Sequence, residues 1–154
     1  VFHPPVIRAA YRRRVPVRYE PFDRQHLGAI LGLCRTQGWP SLPSDPVRAH
    51  QALTAPGVTT VVAVVADEVI GFATVLSDGV LDAYLSALLV AEPHRGAGIG
   101  ADLLQTGYRR SGATRVDLLA ADGTDDFYAR FPHHRFSGFR LHPDATLDPT
   151  PGPA

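Results

Sequence analysis

The passage from Leu88 to Ala101, LLVAEPHRGAGIGA, constrains the fold more than any other part of the chain. An apolar run that reads as a buried strand closes in Val90. An amphipathic pattern that reads as a helix opens at Ile99, and Gly96, Gly98 and Gly100 fall at alternate positions across the junction. Glycine lets the backbone curl so that successive N–H groups point outward, and a helix N-terminus adds roughly half a positive charge. A turn of this kind suits phosphate oxygens, and Arg95 at its mouth brings a permanent charge.

The flanking patterns decide what sort of sheet carries the turn. Val58 to Ala66, Val69 to Leu76 and Val80 to Val90 are rich in β-branched and apolar residues and are separated by short turns, which predicts an antiparallel meander. Upstream, Val15 to Glu20 alternates like a short strand. From the N-cap Asp23, Leu27, Ile30, Leu31 and Cys34 keep helical spacing until Gly38. A Pro-rich loop follows, with a short helix over Val47 to Leu53. Downstream of the turn come a helix from Ile99 to Arg110, a strand from Val116 to Ala120, a short helix from Asp125 to Arg130 and a last strand from Arg135 to Leu141. Strand, helix, strand in that order predicts a parallel crossover. The expected fold is α/β (α+β), a mixed and mostly antiparallel central sheet flanked by helices. Residues 15–143 form the domain, 1–14 a flexible basic arm and 144–154 a disordered tail.

Composition narrows the function classes. A chain of 154 residues, 45% hydrophobic and 19% charged, fits one domain with a substantial core. The longest apolar run, Val61 to Ala66, is far short of the ~20 residues of a membrane helix. No secretory leader is visible, so the expected location is the cytoplasm. Cys34, the only cysteine, lies on a helix stripe and reads as core packing. Fifteen basic residues balance fifteen acidic ones, but five of the basic residues lie in the first 18 positions, where there is no acid. The folded part is therefore acidic and better suited to a cationic partner. Arg12, Arg13 and Arg14 are too few for stable nucleic-acid binding in physiological salt. His133, His134 and His142 lack the pattern of a metal site.

Gly96, Gly98 and Ala101 also match a relaxed dinucleotide fingerprint, with Asp117 downstream. A nicotinamide-binding unit should open with this turn and continue in β-α repeats. Here a meander precedes it, and Asp117 is expected inside a strand rather than at its end.

Arg95-x-x-Gly98-x-Gly100 after a strand closing in Val90 resembles the acetyl-CoA pyrophosphate motif of the GCN5-related N-acetyltransferase (GNAT) superfamily, and the order of elements agrees over about residues 15–141. The resemblance implies a sheet splayed between its fourth and fifth strands, with acetyl-CoA as co-substrate in the gap. It implies that the backbone of Leu88, Leu89 and Val90 pairs with the pantetheine arm. The amides of Arg95, Gly96, Ala97, Gly98, Ile99 and Gly100 would hold the pyrophosphate.

Phe127-Tyr128 resembles the segment carrying the family's proton donor to the leaving thiolate, which makes Tyr128 the catalytic acid. A phenol with a pKa of about 10 keeps its proton at neutral pH until the thiolate forms. In the family this motif runs on within a few residues to Gly-Phe, whereas here Pro132 to Ser137 intervene before Gly138-Phe139. Family members often carry the general base where this chain has Tyr84 and Ser86, neither a ready base; both are assigned to the acceptor site. Asp82, expected on the same strand face, could act as base through a water. Trp39 is placed over the acceptor pocket. The expected activity is N-acetylation of a primary amine by direct attack in a ternary complex, by a monomer or homodimer. A fold relative that binds acyl-CoA without turnover is the alternative.

Overall fold

A computed structural model describes residues 16–39 and 42–141; the basic arm, the tail, Pro40, Ser41 and His142 lie outside the described residues. The described residues fall into two compact units, one ending at Leu118 and one beginning at Leu119.

The first unit is built on a five-stranded sheet in the order of the chain: β1 (Arg18–Pro21), β2 (Val58–Val65), β3 (Glu68–Ser77), β4 (Asp82–Val90) and β5 (Arg115–Asp117). The first four strands are antiparallel neighbours, and β5 joins β4 in parallel. The crossover is α3 (Ile99–Ser111). β4 begins at Asp82 rather than Val80, because the Asp78 carboxylate gathers the N–H groups of Val80, Leu81 and Asp82 and holds this stretch in a turn.

Asp23 is an N-cap as expected, with a reciprocal capping box to His26. It opens a 3₁₀ turn (Arg24–His26) that runs into α1 (Leu27–Thr36). α1 ends in a Schellman motif: Gly38 takes φ +60°, its N–H bonds the Arg35 carbonyl, and the Trp39 N–H bonds the Cys34 carbonyl. α2 (Pro46–Thr54) follows, capped by Asp45 with Pro46 in its first turn.

Val62, Phe72 and Leu89 stand opposite one another across β2, β3 and β4. They pack with Ile30 and Cys34 of α1 and Leu53 of α2. Burying a side chain the size of Phe72 contributes about 1.5–3 kcal/mol. On the other sheet face, Gly107 of α3 lies against Val75 and Leu103 against Gly71. Cys34 is a core residue, and burial pushes its thiol pKa up.

In the second unit α4 (Asp125–Tyr128) is shorter than expected. The predicted strand from Arg135 to Leu141 is not formed. Phe136 and Phe139 express propensity only; a strand also needs a neighbour for its ladder, and residues 135–141 have none among the described residues. No helix among the described residues is long and apolar enough to cross a membrane.

Candidate functional site

The register of β3 and β4 decides which backbone groups the site can use. The Ala91 N–H bonds the Ile70 carbonyl at 2.8 Å. In the two-residue period of an antiparallel ladder, Phe72–Leu89 and Thr74–Ala87 are then hydrogen-bonded pairs too. Leu89 therefore spends its backbone groups on β3, while Leu88 and Val90 turn theirs to the other side.

On that side β5 pairs only with Asp82, Ala83 and Tyr84. From Leu85 to Val90 no strand among the described residues pairs with that edge of β4. The Val90 carbonyl is already met by Gln37 Nε2 and Arg95 Nε, each at 3.0 Å. Among the described residues, both backbone groups of Leu88 and the N–H of Val90 are left open on this edge.

A bulge sits just upstream. Thr74 pairs with Ala87 and Val75 with Leu85, so Ser86 is an extra residue in β4. The alternation that would align Ser86 with Tyr84 and Asp82 breaks there, a correction to the single strand face expected from spacing. A bulge also bends and twists its strand, and here it lies just beyond Tyr84, the last residue of β4 that pairs with β5.

Beyond Val90 a 3₁₀ turn (Glu92–His94) leads to Arg95, whose N–H bonds the Glu92 carbonyl at 3.2 Å. Gly96 and Gly98 take φ +77° and +84°, conformations that only glycine adopts cheaply. Gly98 caps α3, its carbonyl accepting from the Asp102 N–H at 3.1 Å. Among the described residues, the N–H groups of Gly96, Ala97, Gly98, Ile99, Gly100 and Ala101 have no acceptor. A Cβ at Gly96 or Gly98 would meet nothing within 4 Å, so open space stands over these donors. Two linked phosphates, rich in acceptors and doubly charged, fit such a cradle at a helix N-terminus. Arg95 has no carboxylate partner among the described residues, and its guanidinium reaches Gln37 Oε1 as well as Val90.

At the other end of β4, Val58, Leu76, Tyr84 and Asp117 form one row across β2, β3, β4 and β5. They line an open depression of about 420 Å³ together with Asp78 and Asp82. Asp117 is the last residue of its strand rather than an interior one, because β5 ends at that position. Asp82 is ion-paired to Arg115, directly opposite it on β5. Asp78 accepts from the N–H groups of Val80 and Leu81 at 2.8 Å and of Asp82 at 3.1 Å, which holds its carboxyl below the usual carboxylate range. Three carboxylates against one guanidinium suit a cation.

Trp39 packs against the core cluster of α1, α2 and the sheet, with its indole N–H buried and without an acceptor among the described residues. Tyr128 ends α4 in the second unit, half-buried and edge-on to Phe127 at 4.9 Å between ring centroids. No group of three metal-ligating side chains is assembled among the described residues. Gln37 was missed by the sequence reading, since a polar residue before a terminating glycine reads as a solvated helix end. Asp117 was weighed only as a ribose ligand, and its place in the depression follows from the β5 register.

Residues 24–138 match the profile of the acetyltransferase (GNAT) family. No curated protein matches the chain significantly. Among solved structures, one from Deinococcus radiodurans R1, assigned provisionally as an acetyltransferase, is 27% identical, with a TM-score of 0.66 over 82% of this chain and 88% of its own. The aminoglycoside N-acetyltransferase AAC(6')-Iy, solved in complex with CoA, is 19% identical, with a TM-score of 0.66 over 84% and 97%. The ribosomal-protein-alanine N-acetyltransferase of Brucella melitensis biovar Abortus 2308 is 17% identical, with a TM-score of 0.66 over 82% and 98%.

Proposed function

Because the chain belongs to the GNAT family of acetyltransferases, we propose that it transfers the acetyl group of acetyl-CoA to a primary amine of a small molecule or peptide, by direct attack in a ternary complex in the cytoplasm. The observation that supports this best is the open edge of β4 leading into a turn of unengaged amides. A ligand that alternates amide groups and ends in a pyrophosphate matches both parts in that order. AAC(6')-Iy, of the same fold, was solved with such a ligand, CoA.

In this reading residues 15–143 act as one catalytic domain. Leu88 and Val90 pair with the pantetheine arm, and the amides from Gly96 to Gly100 hold the pyrophosphate. Acetyl-CoA supplies the activated thioester. A strand N–H near Leu88 polarises its carbonyl, a fixed donor aimed where negative charge develops. The acceptor enters over Tyr84, with Ser86 and Trp39 at the margins of its pocket, and Asp82 takes the amine proton through a water. Tyr128 gives its proton to the departing thiolate. The depression beside Asp78, Asp82 and Asp117 favours an acceptor that arrives cationic and is deprotonated on the protein.

The test is thiol release from acetyl-CoA with a panel of amines, peptides and aminoglycosides, beside calorimetry of CoA binding. Release with at least one amine is expected. Binding of CoA with no release from any acceptor would favour a sensor of the same fold, and no binding of CoA would end both readings.

A further inference from the structure

We infer that Gln37 is a positioning residue for the phosphate turn, acting with Arg95 as a clamp on the Val90 carbonyl. This rests on the acetyl-CoA reading above and says which side chains hold its turn in shape. Gln37 is the C-cap of α1, and its backbone is fixed by the Schellman motif around Gly38. From there its Nε2 reaches the Val90 carbonyl at 3.0 Å, across 53 residues of sequence. Arg95 folds back from the far side of the 3₁₀ turn, placing Nε 3.0 Å from the same oxygen, while its Nη2 donates to Gln37 Oε1. The three groups close a ring of hydrogen bonds.

The closed ring has two effects. It ties the segment from Val90 to Arg95, which carries no side-chain cap of its own, to the end of a helix packed in the core. The glycines that follow have little stiffness themselves, so the direction of their N–H groups depends on where Arg95 is held. The ring also saturates the Val90 carbonyl, which directs the pantetheine arm to Leu88 and to the Val90 N–H. The Arg95 guanidinium thus acts through its fork of donors as well as its charge, and lysine cannot replace it.

Calorimetric titration of the full chain with CoA, and with 3′-phospho-ADP, the pyrophosphate half of CoA without pantetheine, tests this. Gln37→Ala and Arg95→Lys should each weaken both ligands about tenfold, the loss expected for hydrogen bonds around a charged group. The double variant should be little worse than either single one, because the residues act as a unit. Thermal melts identify a variant that has simply lost its fold, and Arg95→Lys, an exposed and charge-conserving change, serves if Gln37→Ala is lost. The inference is overturned if Arg95→Lys binds like the wild type, which would leave charge alone, or if Gln37→Ala binds CoA equally or more tightly. It is overturned too if the loss is confined to CoA and spares 3′-phospho-ADP. Wild-type protein that binds neither ligand would sink the acetyl-CoA reading itself, a result distinct from a wild type that binds and variants that match it.

Discussion

Asp82 and Arg115 face each other across β4 and β5, joined by an ion pair at the first residue of each strand. Both side chains are more than half exposed, at 51% and 59%, so solvent screens the pair and it adds little to stability. Its interest is chemical, since the same carboxylate is the proposed acceptor of the amine proton. Asp82→Asn should lower kcat on the order of a hundredfold, as loss of a general base does, with the affinity for CoA unchanged. Arg115→Gln should lower the KM of a cationic amine by leaving the depression more negative. A kcat for Asp82→Asn within about threefold of wild type would reduce Asp82 to a strand-end ion pair.

Gly98 separates folding from binding. Alanine at φ +84° costs about 1–2 kcal/mol of backbone strain, while its Cβ meets no protein atom within 4 Å. The melting temperature of Gly98→Ala should therefore fall only by about 2–8 °C. The methyl group would stand in the space over the turn amides, so CoA affinity should fall more than about tenfold, well beyond what strain accounts for. Unchanged affinity in calorimetry would mean that the pyrophosphate binds elsewhere.

Why the glycines were readable and the clamp was not has a physical reason. Positive φ at Gly96 and Gly98 is a backbone demand that one residue type answers, so it leaves a mark in the sequence. The β-branched runs of β2 and β3 are similarly explicit, and Cys34 showed its burial through helical spacing. Gln37, Arg95 and Val90 meet through packing of α1 beneath the end of β4, and nothing in their local sequence records that meeting. The bulge at Ser86 leaves the apolar pattern of β4 intact while breaking its alternation. Residues 135–141 are the converse case, with strand-forming residue types but no neighbouring strand among the described residues.

The hairpin between β2 and β3 should be improvable. Ala66 and Asp67, at φ +46° and +67°, form the two-residue turn closed by the Val65–Glu68 pair. Left-handed alanine is strained, whereas asparagine tolerates that region and is favoured in such turns. Ala66→Asn should raise the melting temperature by about 2–4 °C, from roughly 1 kcal/mol recovered. A lower melting temperature would show that the turn is not held in this form.

Asp78 should make the β3–β4 turn sensitive to acid. The Val80 and Leu81 N–H groups, with a smaller contribution from that of Asp82, depress its folded-state pKa below the ordinary carboxylate value. The stabilisation is therefore complete above the unfolded pKa, about 3.9, and is lost as pH falls below it and through the depressed folded value. Asp78→Asn keeps an acceptor oxygen that does not titrate. Urea midpoints between pH 5 and pH 2 should fall less steeply for this variant than for wild type, and parallel curves would exclude Asp78 as a contributor.

Tyr128 offers the sharpest division between packing and chemistry. Its ring lies edge-on to Phe127, a contact that phenylalanine preserves. The substitution Tyr128→Phe removes the phenolic O–H, and a thermal melt of the variant separates any loss of fold from a loss of chemistry. If Tyr128 protonates the departing thiolate, kcat should fall on the order of a hundredfold or more, because general acid catalysis acts in the transition state and not in ground-state binding. KM for acetyl-CoA and the calorimetric affinity for CoA should stay near wild type. Unchanged kcat would return Tyr128 to a packing role and require another donor for the thiolate, whereas equal losses in kcat and in CoA affinity would point to a binding contact instead of proton transfer.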